Sequence, residues 1–377
     1  MRLYITTRAA WKAAETPGTK MQRRDMLKAG AALFALGATG STPMANEAES
    51  LFVPAEEGPH ELTFMQWPAN RDVQLERGFL RYLQETIADI ANTIAEFEPV
   101  VLLAAAEEHP NARRLLASGV EFWDIPTEDL WCRDAGPLFA KSSRGELVVS
   151  HIQFNGWGGK QVHVHDGAVA KRVAERLGLR VVPSGVTGEA GGVEHDGHGL
   201  LMAHESSWVN PNRNPGLSRD DIEKRLLTAY GATRMIWTPG VIGEDITDYH
   251  IDSLARFTGA GRVLINLPDA PDMSDPFHVA ALETHDRLIA EKLEVEVIPE
   301  PKFRRVRAAD FVASYANYYV CNGGVIAAEF GDAETDAIAR EALRRHYQGR
   351  EIVTLNVDAL GEVGGGIHCA TQQMPAV

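Results

Sequence analysis

The sequence is poor in cysteine. Only Cys132, Cys321 and Cys369 occur among 377 residues. An odd number at wide spacing argues against a disulfide framework and against a thiolate metal site. A Lys/Arg stripe is also missing, and the formal net charge is -15. Such a surface repels nucleic acid and anionic membranes and mildly attracts cationic ligands. No Gly-rich phosphate loop follows the first β-rich run, which argues against a doubly wound nucleotide-binding fold. "FNGWGGK" (Phe154 to Lys160) ends in GGK but lacks the spacing and hydroxyl of such a loop. It reads as a turn shaping a wall or an interface. No HExxH helix or cysteine pair accompanies His195, Asp196 and His198, so no metal site is expected there. Low-complexity segments and long linkers are absent.

The composition, 45% hydrophobic and 24% charged, is that of a globular protein with a large core. The length accommodates two domains or one large α/β domain. The N-terminus reads differently. From Met21, "MQRRDMLKAGAALFALGATG" sets Arg23 and Arg24 before an Ala/Leu/Phe run that is too short to span a bilayer. This order of basic, apolar and small residues reads as an export signal of the twin-arginine type, with an ordinary N-terminal helix as the alternative. Residues 1–47 are therefore set aside as an extension plus signal, and residues 48–377 as the catalytic domain. A periplasmic or secreted location is expected.

Beyond residue 95 a pattern recurs five times: a β-rich run, a helical segment, another β-rich run, then a polar motif. The helices are expected near 110–118 and over 166–177, 218–230, 276–293 and 333–347. Ile222, Leu226, Leu227 and Tyr230 keep helical spacing, and Ser218 with Asp221 forms a capping-box start. Five similar units suggest a closed, five-fold pseudo-symmetric α/β arrangement. In such a ring the five polar motifs would converge on one axis.

Those motifs carry the chemistry. "GGGIHC" ends in Cys369, where glycines such as Gly366 allow a tight backbone and close approach of a substrate. A nucleophilic thiol must be exposed and ionised by a nearby positive charge or helix end; a lone cysteine is otherwise a small core residue. "TDYHID" sets His250 and Asp252 two apart, on one face if the segment is extended. "DLWCRDAGP" holds Trp131 and Asp134, an indole and an acid that suit a flat cation; an ion pair with Arg133 is the plainer reading. The sum is an acidic pocket with one thiol. Carboxylates would hold a positively charged substrate, and the thiol would attack a carbon made electrophilic by that charge. A guanidinium fits.

The chain resembles agmatine deiminases and bacterial-type peptidylarginine deiminases of the guanidine-modifying pentein superfamily. The resemblance runs from "PAEEGPHELTFMQWP" through "LWCRDAGP", "FNGWGGK", "NPNRNP" and "TDYHID" to "GGGIHCATQQMP". It implies a five-bladed α/β propeller. It further implies Cys369 as the covalent nucleophile, His250 as general acid then base, and Asp134 and Asp252 as the carboxylates that bridge the guanidinium. Glu189 and Trp131 resemble substrate-binding positions. The implied reaction takes agmatine and water to N-carbamoylputrescine and ammonia without metal or organic cofactor, in a homodimer. The chain departs from the family's "EGGSIHVDGEGT": Ala190 and Glu194 stand where the family has glycine and histidine. Different contacts to the substrate's tail are expected from that. An exported peptidylarginine or arginine deiminase is the alternative within the fold, and a non-catalytic periplasmic binder of cationic amines the alternative outside it.

Overall fold

A computed structural model describes residues 50–69, 73, 76–308 and 310–376. The expected signal and the boundary at 47/48 lie outside the described residues.

Five sheets account for the strands among the described residues. Four share one plan: an antiparallel pair, a crossover helix, and a third strand parallel to the second. In the third sheet Val193–His195 pairs antiparallel with Leu200–His204, which pairs parallel with Arg234–Thr238. The fourth repeats this with Ala255–Gly259, Arg262–Leu267 and Glu294–Pro299. The fifth uses Tyr319–Cys321, Gly324–Ala328 and Glu351–Leu355. The second adds Leu51–Phe52 to the edge of Leu138–Ser142, Leu147–Gln153 and Arg180–Thr187. In the first sheet the antiparallel partner comes from the far end of the chain. Thr371–Pro375 pairs with His60–Gln66, followed by Val100–Ala104 and Val120–Asp124 in parallel. The strand that follows Cys369 thus joins the two ends of the domain.

Among the described residues the five long helices are α1 (Arg77–Ile94), α2 (Asp166–Leu177), α3 (Arg219–Tyr230), α4 (Pro276–Ala290) and α5 (Ala333–His346). Each presents an apolar stripe to a neighbouring unit's sheet. Val169 and Val173 of α2 cluster with Phe64 and Val101 of the first sheet. Ile222 and Leu226 of α3 cluster with Val148 and Val186 of the second. Ala281 and Leu288 of α4 cluster with Met202 and Ile236 of the third. Helix α5 packs on the fourth sheet and α1 on the fifth. Followed round, these contacts form a closed cycle of five. Each unit thus relies on a neighbour's sheet to bury its helix.

The α2–α5 helices fall where the sequence places them, and Ser218 makes the expected capping box with Asp221. The first repeat differs. The helix expected near 110–118 is one turn, His109–Ala112. Arg113 instead spends its guanidinium on the carbonyls of Ala117 and Val120, at 3.0 and 2.8 Å, and closes a compact turn. The long helix of that unit is α1, which lies N-terminal to the repeat seen in the sequence. None of the described helices is long and apolar enough to cross a membrane.

Candidate active site

A cavity of about 500 Å³ opens between the polar ends of the units. Its wall includes Trp131, Asp134, Trp157, His250, Asp252 and Cys369. The four chemical groups come from three separate segments, as a converging ring requires.

Cys369 sits two residues before the closing strand. Asn317 holds it twice. The Asn317 Nδ2 donates to Cys369 Sγ at 3.1 Å, and its Oδ1 accepts from the Cys369 backbone N–H at 3.3 Å. Gly366 does not line the cavity. A Cβ at this position would come 2.5 Å from Asn317 Oδ1, so this glycine makes room for the residue that holds the thiol rather than for substrate. Burial pushes the Cys369 thiol well up, and the carboxylates of Asp252 and Asp134 push it further. The resting group is a thiol.

His250 and Asp252 do not share a face through a pleat. The chain turns at Asp248 and Tyr249, whose φ values are 58° and 66°, and Ile251–Ser253 forms a single 3₁₀ turn. Non-glycine residues in this region carry strain and need support. Asp248 has it: its carboxylate accepts from Arg213 Nη1 at 2.6 Å, Lys160 Nζ at 2.8 Å and the Gly243 N–H at 2.8 Å. The turn brings both side chains to the cavity by another route.

The carboxylates are differently set. Asp134 Oδ2 accepts from Trp157 Nε1 at 2.9 Å and Oδ1 from the Gly191 N–H at 3.3 Å. Burial raises Asp134 to about 6, although His250 pulls it down. Asp252 Oδ2 accepts from His368 Nδ1 at 2.7 Å, and Cys369 Sγ lies 3.5 Å from the same oxygen. Burial pushes Asp252 up, but His368, His250 and Arg256 hold it below the usual carboxylate range. Its Oδ1 is buried and has no hydrogen-bond partner among the described residues. A buried carboxylate oxygen without a donor is costly, and a ligand N–H would satisfy it.

Gly191 stands among these groups. A Cβ there would lie 2.7 Å from Asp134 Oδ1, 3.0 Å from His250 Nδ1 and 3.1 Å from Asp252 Oδ2. Only glycine lets the three side chains converge.

Glu189 is not on the cavity wall. Its carboxylate accepts from Arg213 Nε at 3.0 and 2.9 Å and contacts His250 Nε2 at 3.2 Å. With both oxygens engaged behind the imidazole, it orients His250 instead of touching substrate. Burial pulls His250 down, but Asp134, Glu189 and Asp252 together raise it to about 9. The ring is an imidazolium at neutral pH.

Glu194 lies away from the substrate cavity too. Its side chain meets Arg256 Nε at 2.7 Å and lines a separate cavity of about 20 Å³ behind the site, as does Ala190. Neither departure from the family pattern therefore lines the cavity that holds Cys369. His195, Asp196 and His198 make no metal cluster. Asp196 Oδ1 accepts from the N–H groups of His198 and Leu200, which closes their turn. Among the described residues no group of three or more such side chains is arranged to hold a metal ion.

The sequence alone does not assign Asn317, His368 and Arg213. His368 and Arg213 lie inside motifs already quoted, "GGGIHC" and "NPNRNP", and Asn317 begins "NYYVC". What each residue touches depends on long-range packing that no local spacing records.

Residues 52–375 match the family model of the Porphyromonas-type peptidyl-arginine deiminase. The chain belongs to this family. It is 33% identical over 370 residues to the agmatine deiminase of Pseudomonas aeruginosa (strain LESB58), covering 89% of this chain and 98% of the relative. The agmatine deiminase of Ectopseudomonas mendocina (strain ymp) is 32% identical over 360 residues, covering 87% and 96%. The solved agmatine deiminase of Enterococcus faecalis superposes with a TM-score of 0.80 at 27% identity, over 86% of this chain and 96% of that one. The fold is the five-fold α/β pentein fold, as the closed cycle of helices and sheets already indicates. The chain is a deiminase-type hydrolase of guanidino C–N bonds.

Proposed function

We propose that the protein hydrolyses agmatine to N-carbamoylputrescine and ammonia through a covalent Cys369 intermediate. The observation that carries this reading is the unpartnered Asp252 Oδ1, on a residue that lines the same cavity as Asp134, His250 and Cys369. Two carboxylates can hold a guanidinium in a plane, and paired contacts give geometry as well as energy. Trp131 and Trp157 supply aromatic wall to a flat cation.

The guanidinium's charge offsets the field of Asp252 and Asp134 that holds the thiol protonated, so Cys369 gives up its proton to solvent and ionises with substrate in place. The thiolate attacks the guanidinium carbon and an S–C bond forms. His250, already an imidazolium, gives its proton to a departing nitrogen, and the C–N bond breaks to release ammonia. The remaining amidino group is an S-alkylthiouronium. Neutral His250 then takes a proton from water, and the oxygen adds to the same carbon. The C–S bond breaks, the thiol is restored, and a ureido product leaves.

The rim favours a tail that ends in an amine. Glu244, Asp245, Asp275, Glu300 and Asp310 stand there. Of the rim cations, Lys302 is shared with Asp269 and Glu334, and Arg304 Nη1 donates to the Phe311 carbonyl. An α-carboxylate, as in free arginine, would meet this acidic mouth at a cost; an ammonium would not.

Export through the twin-arginine-type signal at Arg23 and Arg24 and assembly as a homodimer are part of the proposal. Substituting both arginines by lysine should block export, and light scattering gives the assembly state. The deciding test is ammonia release by residues 48–377 from agmatine, arginine and an arginyl peptide in parallel. Release from agmatine alone supports the reading. Release from the peptide or arginine keeps the chemistry and moves the substrate. Agmatine binding without any release would make the protein a binder of cationic amines.

A further inference from the structure

His368 precedes the thiol in sequence, yet its ring does not line the substrate cavity. It stands between two carboxylates. Nδ1 lies 2.7 Å from Asp252 Oδ2, and Nε2 lies 3.0 Å from Glu56 Oε2. A carboxylate oxygen accepts, so the Nδ1–H donates to Asp252 and each ring nitrogen faces a carboxylate. Glu194 Oε1 is 3.9 Å from Nε2. Glu56 is itself held by Arg133 Nη2 and Arg256 Nη2, both at 3.0 Å, and by the Val320 N–H at 2.9 Å. Arg133 Nε also donates to the His368 carbonyl at 3.3 Å. Arg256 meets Glu194 as well. The outer arm of the ring is thus anchored in a network of fixed charges, while its inner arm reaches Asp252.

We infer that His368 is a positioning residue: by binding Asp252 Oδ2 it leaves Oδ1 as the oxygen that Asp252 offers to a guanidinium. This rests on the guanidine-binding reading of the cavity. Without the Nδ1 donor the carboxylate is free to turn about its Cβ–Cγ bond. Either oxygen could then face Cys369 Sγ, now 3.5 Å from Oδ2, and the planar approach of the ligand would be lost. Asp252 also faces His250 and Arg256 as cations and Asp134 as an anion, but His368 alone hydrogen-bonds to its carboxylate among the described side chains, apart from the thiol.

The test is agmatine binding by calorimetry on the Cys369→Ala protein, where no turnover interferes. His368→Gln, whose amide reaches toward Glu56 and not Asp252, should weaken binding by about 10–100-fold. His368→Asn, whose amide nitrogen can stand near the Nδ1 position, should recover most of that loss. In the Asp252→Asn background His368→Gln should have little further effect, because the histidine acts through the aspartate. A general structural role would lower the melting temperature of both histidine variants and would multiply with Asp252→Asn. Unchanged affinity in His368→Gln, or full multiplication of the two losses, overturns the inference. Should His368→Gln not fold, His368→Asn decides by the same rule, measured with Asp252 intact and again alongside Asp252→Asn: its small loss must vanish in the second case. If the Cys369→Ala protein does not bind agmatine at all, the guanidine reading and this inference fall together. Binding with unchanged His368 variants defeats the inference alone.

Discussion

Glu189 and His250 form a buried pair, with Oε2 and Nε2 3.2 Å apart, and Arg213 fixes the carboxylate from its other side. The carboxylate beside the imidazole favours its charged form. Glu189→Gln removes the carboxylate charge and leaves Asp134 and Asp252 as the anions that raise His250. The alkaline limb of kcat/KM should then move down from about 9, and the maximum rate should fall by about 10–100-fold. The pH dependence of kcat/KM for wild type and variant checks this; an unmoved limb would mean that Glu189 does not set the proton affinity of His250.

The wild-type profile itself has a defined sign. Asp134 must ionise to hold a guanidinium, and its carboxyl is raised to about 6 by burial. Activity should rise as pH passes through that value. His250 must carry a proton, and it is raised to about 9, so activity should fall beyond it. The groups are coupled, and the two limbs belong to the cluster. Asp134→Asn should flatten the acid limb and weaken substrate binding and chemistry together. An acid limb unchanged in that variant would assign it elsewhere.

Cys369→Ala should abolish ammonia release, a fall of at least about 10⁴-fold, while agmatine still binds. The carboxylates that hold the cation are intact in this variant. Calorimetry and an ammonia assay on the same sample separate the two quantities. Retained turnover would remove Cys369 as nucleophile.

Much of the fold is legible in the sequence because its repeats are local. The capping box of Ser218 with Asp221 and the helical spacing of α3 are set within a few residues. Helix α1 is hidden because its unit takes one strand from the far end of the chain, Thr371–Pro375. The same distinction runs through the site. Cys369, His250, Asp252, Asp134 and Trp131 can be named from motif chemistry and do line one cavity. Glu189 and Gly366 read as substrate contacts from their motifs but stand behind His250 and Asn317, since a motif shows which residues gather and not which layer each occupies. Glu194 faces Arg256 on the far side for the same reason.

Gly191 offers the sharpest test of how tightly the site is packed. Its missing Cβ would lie 2.7 Å from Asp134 Oδ1, 3.0 Å from His250 Nδ1 and 3.1 Å from Asp252 Oδ2. These partners are short side chains, held by Trp157, Glu189 and His368, and cannot easily withdraw. Gly191→Ala should cost about 1–3 kcal/mol of stability through overpacking. The loss of activity should be larger in free-energy terms, because a shift of about 1 Å in a positioned group can cost roughly 100-fold. A melting curve gives the first quantity and kcat/KM the second. An alanine variant with wild-type kcat/KM would show that the three side chains can rearrange around a methyl group, and that their convergence at Gly191 is not what the reaction needs.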